Sequence, residues 1–179
     1  MLRSYGDNFG GVTDIPRVRP TYVLDDRGLL DGWLEFHRAT LLVKCEGLTD
    51  DQRKVRPIES SELSLHGLIR HMAETERNWF RRVLLRDPGL PRIWHDPSTG
   101  SSALVPLDHA SWEDDLATWQ GECEQSRAVA AGHDLDDTGE WREKQVSLRS
   151  IYLHMIQEYA RHNGHADFIR ELLDGTVGL

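Results

Sequence analysis

The stretch over residues 147–175 carries the side chains of this sequence best suited to chemistry, a carboxylate and several imidazoles. Glu158 and His162 are four residues apart, so on a helix of about 3.6 residues per turn both face the same side. A carboxylate oxygen and an imidazole nitrogen are ligands that suit Zn²⁺, Ni²⁺ or Fe²⁺. The spacing therefore indicates a metal site, and His71 on a second predicted helix is a candidate third ligand.

Two further histidines, His154 and His165, lie along the same edge of this helix. They are candidates for additional ligands, or for groups that hold Glu158 or a bound water in place. An alternative needs no metal: Glu158 pairs with Arg161 or another arginine, and His162 is a hydrogen-bonded core histidine. The motif Glu-x-x-x-His leaves both interpretations open.

The elements that must position these residues are predicted to be helical. Apolar residues recur at threes and fours over residues 26–46, 64–86, 111–131 and 147–175. Thr49 and Gln52 have the form of a capping box and predict a short turn of helix. The pattern indicates an all-α protein, a four-helix bundle with long inter-helix connections. No sheet is expected, and residues 145–146 could be extended.

The connection over residues 87–109 is long for two helices of one bundle, and loops of this length are usually functional. It contains Trp94, His95 and Asp96. Histidines near helix ends or in loops are predicted to be exposed, namely His66, His95, His109 and His133. His37 lies on the apolar side of its helix, which favours a core role.

Composition and charge narrow the classes of protein that fit. The 179 residues suffice for one domain with a hydrophobic core. A formal net charge of −9 argues against nucleic acid or an anionic membrane as the main partner, and no apolar run approaches the roughly 18 residues of a membrane span. Two cysteines are too few for a disulfide framework. We therefore expect a cytoplasmic protein in which Cys45 and Cys123 are buried and not catalytic.

Three segments occur together in order and spacing, and they read RATLLVKCEGLTDDQ, LSLHGLIRHMAETERNWFRR and SLRSIYLHMIQEYARHNGHADFIRE. They resemble the DinB-like superfamily, in an actinobacterial branch of unassigned function grouped with mycothiol-dependent enzymes such as maleylpyruvate isomerase. The resemblance covers residues 21–175. Its specific part is the combination of the second-helix histidine with Glu-x-x-x-His-x-Gly-His-x-Asp in the last helix.

The resemblance implies an up-down-down-up four-helix bundle, a single domain over residues 21–179. Residues 1–20 show no helical period and are predicted to form an irregular arm. The resemblance also implies a divalent metal held by His71, Glu158 and His162, with zinc expected first and nickel or iron as alternatives. The implied function is transfer or isomerisation that uses mycothiol or another low-molecular-weight thiol on a small electrophilic substrate. A homodimer is plausible for this family.

Two other functions stay open from the sequence. The protein could be a non-catalytic metal-binding or stress-response protein, which a closed site with four protein ligands would favour. It could also be a metal-dependent hydrolase with Glu158 as the base, and the metal would then need a separate set of ligands. A site with an open position that faces a pocket would favour the thiol-dependent enzyme.

Overall fold

The computed structural model describes residues 16–95 and 102–178, which are mostly helical. The helices are α1 (Asp26–Cys45), α2 (Asp50–Lys54), α3 (Leu65–Glu76), α4 (Trp112–Ala131) and α5 (Leu148–Asp174). Asp96 of the long connection and residues 1–15 of the predicted arm lie outside the described residues. None of the described helices has an apolar stretch long enough to cross a bilayer.

Side-chain caps fix where the helices begin, close to the predicted positions. A backbone N–H three residues further on donates to the capping oxygen of Asp25, Ser64, Ser111 and Ser147. Thr49 and Gln52 form the predicted reciprocal capping box at the start of α2. Gly175 ends α5 with φ 77°, a left-handed conformation that glycine adopts without strain.

Contacts near the helix ends establish the relative directions of the long helices. Arg149 at the start of α5 pairs with Asp26 at the start of α1, and Arg170 near the end of α5 donates to the carbonyl of Lys44 near the end of α1. These two helices are therefore parallel. Contacts of the same kind give three further relations. The α3 helix runs antiparallel to α5 and parallel to α4. The α4 helix runs antiparallel to α1.

A carboxylate, Glu76, is fully buried among the long helices. Arg38 of α1 donates from Nε and Nη2 to its two oxygens, at 2.8 and 2.6 Å. Tyr159 of α5 donates its hydroxyl to Oε1 at 2.7 Å, and Trp119 of α4 donates Nε1 to that hydroxyl at 2.9 Å. Each long helix thus supplies one member of a network that satisfies polar groups which burial would otherwise leave unpaired.

The predicted second helix changes its winding halfway along. Beyond Glu76 it continues as a π-helix, the π segment, over Arg77–Leu84. π-helices are rare and often lie at functional sites. The wider turn alters which side each residue faces, and it places Trp79 against His154 of α5, with ring centroids 4.2 Å apart.

A small antiparallel sheet lies between α4 and α5, so the expectation of no sheet is wrong. Strand β1 (Thr138–Trp141) pairs with β2 (Lys144–Ser147). The turn residues Arg142 and Glu143 have φ values of 50° and 63°, where Asn and Gly are the usual signals, and this sequence lacks them. A Cβ at Gly139 would overlap the backbone of Val83, so glycine permits the sheet to pack on the π segment. The expectation that residues 145–146 are extended is confirmed.

Candidate metal centre

α3 and α5 bring His71, Glu158 and His162 together. One donor atom of each lies within 4.8 Å of the others. Glu158 Oε2 is 3.4 Å from His162 Nε2 and 3.9 Å from His71 Nε2. Two imidazole nitrogens and a carboxylate oxygen around one point suit Zn²⁺ or a similar ion, so the donor set fits a single divalent metal.

Burial lowers the pKa of both imidazoles in this cluster. The pKa of His162 falls to about 4, first because solvent is excluded and next because the His71 ring lies beside it, with ring centroids 4.6 Å apart. Burial also lowers the pKa of His71, and the Glu158 carboxylate opposes this shift. Both rings are therefore uncharged near neutral pH, the form in which histidine binds a metal.

The two oxygens of Glu158 face different neighbours. Oε2 faces the cluster, whereas Oε1 is 3.3 Å from Arg161 Nη1 and 3.9 Å from His154 Nε2. The Arg161 side chain is 60% exposed, so solvent weakens its pairing with the carboxylate. The ion pair expected as an alternative to the cluster thus occurs beside it, on the other oxygen.

The histidines predicted as supporting groups lie next to the cluster. His165 Nδ1 is 3.3 Å from His162 Nδ1, and the direction of this hydrogen bond depends on the tautomers. His154 packs on Trp79, and burial lowers the pKa of its imidazole. In the described part of the chain, neither residue joins the donors that lie within 4.8 Å of one another.

A cavity of about 220 Å³ opens beside the cluster, with His71 in its wall. Trp79 of the π segment forms another part of the wall. The rest comes partly from the long connection after this segment, through Arg92, His95, Ala103 and Leu104. Described residues of that connection therefore border the candidate site.

Glu74 holds the first part of the connection in place. Its Oε1 accepts backbone N–H groups of Ile93, Trp94 and His95 at 2.8, 2.7 and 3.1 Å. Glu74 is buried and lies three residues after His71 on α3. Sequence reasoning missed this residue; its signal is an acidic side chain on the buried side of a helix.

The two cysteines are buried, as predicted, with 1% of each exposed. Burial raises the pKa of Cys45 to about 12. Burial also raises the pKa of Cys123 well above its ordinary value, and the nearby Glu76 carboxylate adds to the shift. Because a thiolate is the reactive form, neither residue is suited to act as a nucleophile at neutral pH.

The prediction that His66 is exposed is wrong. His66 is fully buried, and its Nε2 lies 2.7 Å from Oδ2 of Asp115. The first turn of α3 packs against the first turns of α4, which the sequence pattern did not reveal. His37 is half-buried on α1, in keeping with its predicted side of the helix. His95 and His109 are exposed, as predicted, whereas His133 is half-buried, with Nδ1 2.8 Å from the carbonyl oxygen of Val129.

Comparison with protein families matches residues 29–175 to the family described as mycothiol-S-transferase. The match includes the three residues of the cluster and agrees with the resemblance to mycothiol-related proteins of DinB-like type. No curated protein and no solved structure matches the chain.

Proposed function

Because the chain belongs to the mycothiol-S-transferase family, we propose that it joins the sulfur of mycothiol, or of a similar low-molecular-weight thiol, to a carbon of a small electrophilic substrate. The thiol gives up its proton, the new C–S bond forms, and the leaving group of the substrate departs with the electron pair of the bond that breaks. The reaction is proposed to depend on a divalent metal held by His71, Glu158 and His162. Zinc is the first expectation from the donor set, with nickel and iron as alternatives.

The observation that carries this proposal is the pairing of the three-donor cluster with a cavity. Three protein ligands leave a coordination position for a substrate, whereas structural zinc sites are closed by four. The cavity of about 220 Å³ has His71 in its wall, so a small molecule there lies next to the cluster. This arrangement favours a catalytic role over a purely structural metal.

The residues of the cluster and its neighbour His154 have distinct chemical roles in this proposal. The uncharged rings of His71 and His162 offer lone pairs, and Glu158 supplies the negative charge. A divalent ion at this position, when bound, lowers the pKa of a thiol and so makes a thiolate available at neutral pH. His154, whose Nε2 lies 3.9 Å from Oε1 of Glu158, is the proposed acceptor for the thiol proton.

We propose further that the four long helices form the up-down-down-up bundle expected for DinB-like proteins. The parallel pairing of α1 with α5, the parallel pairing of α3 with α4 and the antiparallel pairing of α3 with α5 support it. The π segment continues α3, and the β1–β2 hairpin connects α4 to α5; both are additions to this bundle.

The test is the metal content of untagged protein by elemental analysis, together with transfer of mycothiol to a chromogenic electrophile. Wild type should carry about one equivalent of metal, as a three-ligand site predicts, and should consume the thiol. His162→Ala should lose both properties. His109→Ala, at an exposed histidine outside the cluster, should keep both. Equal metal content in the wild type and His162→Ala would contradict the assignment.

The hydrolase alternative finds little support in this arrangement. It leaves Glu158 free as a base and needs other residues to hold the metal. Within residues 16–95 and 102–178, the cluster that contains Glu158 is the one group of donors close enough to share an ion. Thiol transfer is therefore the better proposal.

A further inference from the structure

The lining of the cavity beside His71 includes a tryptophan side chain and several planar polar groups. Trp79 supplies the aromatic wall. The polar groups belong to Asn78, Arg92 and His95, and Thr75 is also part of the lining. This composition differs from the apolar lining that is usual for pockets that take apolar molecules.

The indole of Trp79 is held firmly from two sides. His154 of α5 packs on it at 4.2 Å between ring centroids, and Trp141 of β1 packs on it at 5.4 Å. The guanidinium of Arg142 lies 4.4 Å from the Trp141 ring. A side chain fixed by packing offers a preorganised surface, which reduces the entropy lost when a ligand binds.

Three polar side chains of the lining have hydrogen-bonding capacity that the described residues do not use. Among the described residues, none hydrogen bonds or ion pairs with the side chains of Asn78, Arg92 or His95. The Asn78 amide has two donor hydrogens and an acceptor oxygen, and the Arg92 guanidinium has five donor hydrogens. Thr75 is different, because its hydroxyl donates to the carbonyl of His71 at 2.8 Å. The cavity therefore offers both donors and acceptors to a ligand.

A hydroxyl-rich ring matches both the indole and the polar side chains of this lining. An aromatic face carries negative charge density, which attracts the C–H bonds on the face of a sugar. Sugar hydroxyls both donate and accept hydrogen bonds, so they can pair with the amide, guanidinium and imidazole groups. A purely apolar ring would cover the same groups without giving them partners, which costs free energy.

We propose that this cavity binds a sugar ring of the thiol co-substrate, which packs on Trp79 and hydrogen bonds with Asn78 and Arg92. The inference rests on the proposed function, in which the co-substrate is mycothiol, a cysteine derivative joined to glucosamine and inositol. With the sugar in the cavity, the cysteinyl end lies toward His71 and the cluster. Trp79 and Asn78 then determine which thiol the protein selects.

The first test is isothermal titration of the thiol-free glucosaminyl-inositol into the wild-type protein and its variants. Wild type should bind it. Trp79→Leu and Asn78→Ala should each weaken binding by about tenfold or more, the loss of one good contact. Trp33→Leu, at a half-buried tryptophan of α1 away from the cavity, should bind as the wild type does. The inference would be overturned if the wild type did not bind this compound, or if Trp79→Leu and Asn78→Ala both bound it as tightly as the wild type does.

The second test separates this inference from the proposed function. It compares kcat/KM for mycothiol and for N-acetylcysteine, which has the reactive thiol without the sugars. Asn78→Ala, which preserves the Trp79 packing, should lower the value for mycothiol and leave that for N-acetylcysteine unchanged. A protein that binds the sugar but transfers no thiol would refute the function and keep the inference. Equal kcat/KM values of the wild type for the two thiols would refute the inference and keep the proposed function.

Discussion

The hydroxyl of Tyr159 donates a hydrogen bond of 2.7 Å to the buried carboxylate of Glu76. This bond joins α5 to α3 one residue beyond Glu158 and five residues beyond His71. Because it ties together the two helices that supply the cluster, it sets their relative position along the helix axes. The distance between His71 and the residues of α5 depends on that position.

Tyr159→Phe should weaken Zn²⁺ binding by about tenfold, the low end of the effect of losing a group that orients metal ligands. The measurement is competition with a chromophoric chelator. Trp119→Phe is the matched control, because it removes a different hydrogen bond to the same hydroxyl and leaves the link between α3 and α5 intact. Both variants should lose stability in urea. An equal loss of zinc affinity in the two would contradict the positioning role.

Arg38→Met should lower the free energy of unfolding by about 3–5 kcal/mol, because it leaves the Glu76 carboxylate buried without its cationic partner. Arg127→Met is the comparison: this side chain pairs with Glu35 at the surface, where such pairs contribute about 0–1 kcal/mol. Urea unfolding followed by circular dichroism measures both. A similar cost for the two substitutions would show that Glu76 does not need Arg38.

The sequence predicts those parts of this structure that local rules determine. The capping box of Thr49 and Gln52 follows from side-chain chemistry, and the shared side of Glu158 and His162 follows from helix geometry. The pairing of His71 with them needed the family resemblance, because helix periodicity does not say which helices face each other. His66 was misplaced for the same reason.

The π segment and the hairpin depend on packing between distant residues. The π turn keeps a helical pattern of apolar residues, so periodicity does not distinguish it from an α-helix. The hairpin turn at Arg142 and Glu143 has left-handed backbone angles without the residues that favour them. The two features contact each other at Gly139. The need for glycine there is apparent only from the structure, because the backbone of Val83 leaves no room for a side chain.

Gly139→Ala should lower the free energy of unfolding by about 1–3 kcal/mol, the usual cost of forcing extra volume into a packed contact. It should also change the near-ultraviolet circular dichroism, because the hairpin that carries Trp141 must move away from Trp79. The control is Gly121→Ala in α4, where a Cβ meets nothing within 4 Å and alanine should stabilise the helix by about 0.5–1 kcal/mol. A neutral result at Gly139 would show that the hairpin is not tightly packed.

The buried His66 predicts a loss of stability in acid. Burial lowers the pKa of His66, and the hydrogen bond with Asp115 only partly offsets this. A histidine in the unfolded chain has a pKa of about 6.5, so below that pH the unfolded state binds more protons and unfolding is favoured. The free energy of unfolding should therefore begin to fall as the pH is lowered through about 6.5.

Substitution of single histidines tests whether His66 causes this fall in the free energy of unfolding. His66→Gln should show a smaller fall than the wild type, because its amide does not take up a proton. His109→Gln, at an exposed position, should show the same fall as the wild type. Other buried histidines with a lowered pKa remain in both variants, so a residual fall is expected. An unchanged fall in His66→Gln would contradict the role of His66.

The cluster draws its donors from α3 and α5 alone. The π segment, which borders the cavity, continues α3, and the hairpin that packs on this segment leads into α5. In the described structure, α1 and α4 supply burial and two members of the Glu76 network. A redesign of α1 and α4 that keeps Arg38 and Trp119 should therefore leave the site intact, whereas a one-residue shift within α5 would dismantle it. The candidate site thus requires the particular sequences of α3 and α5, whereas α1 and α4 support these two helices and tolerate replacement.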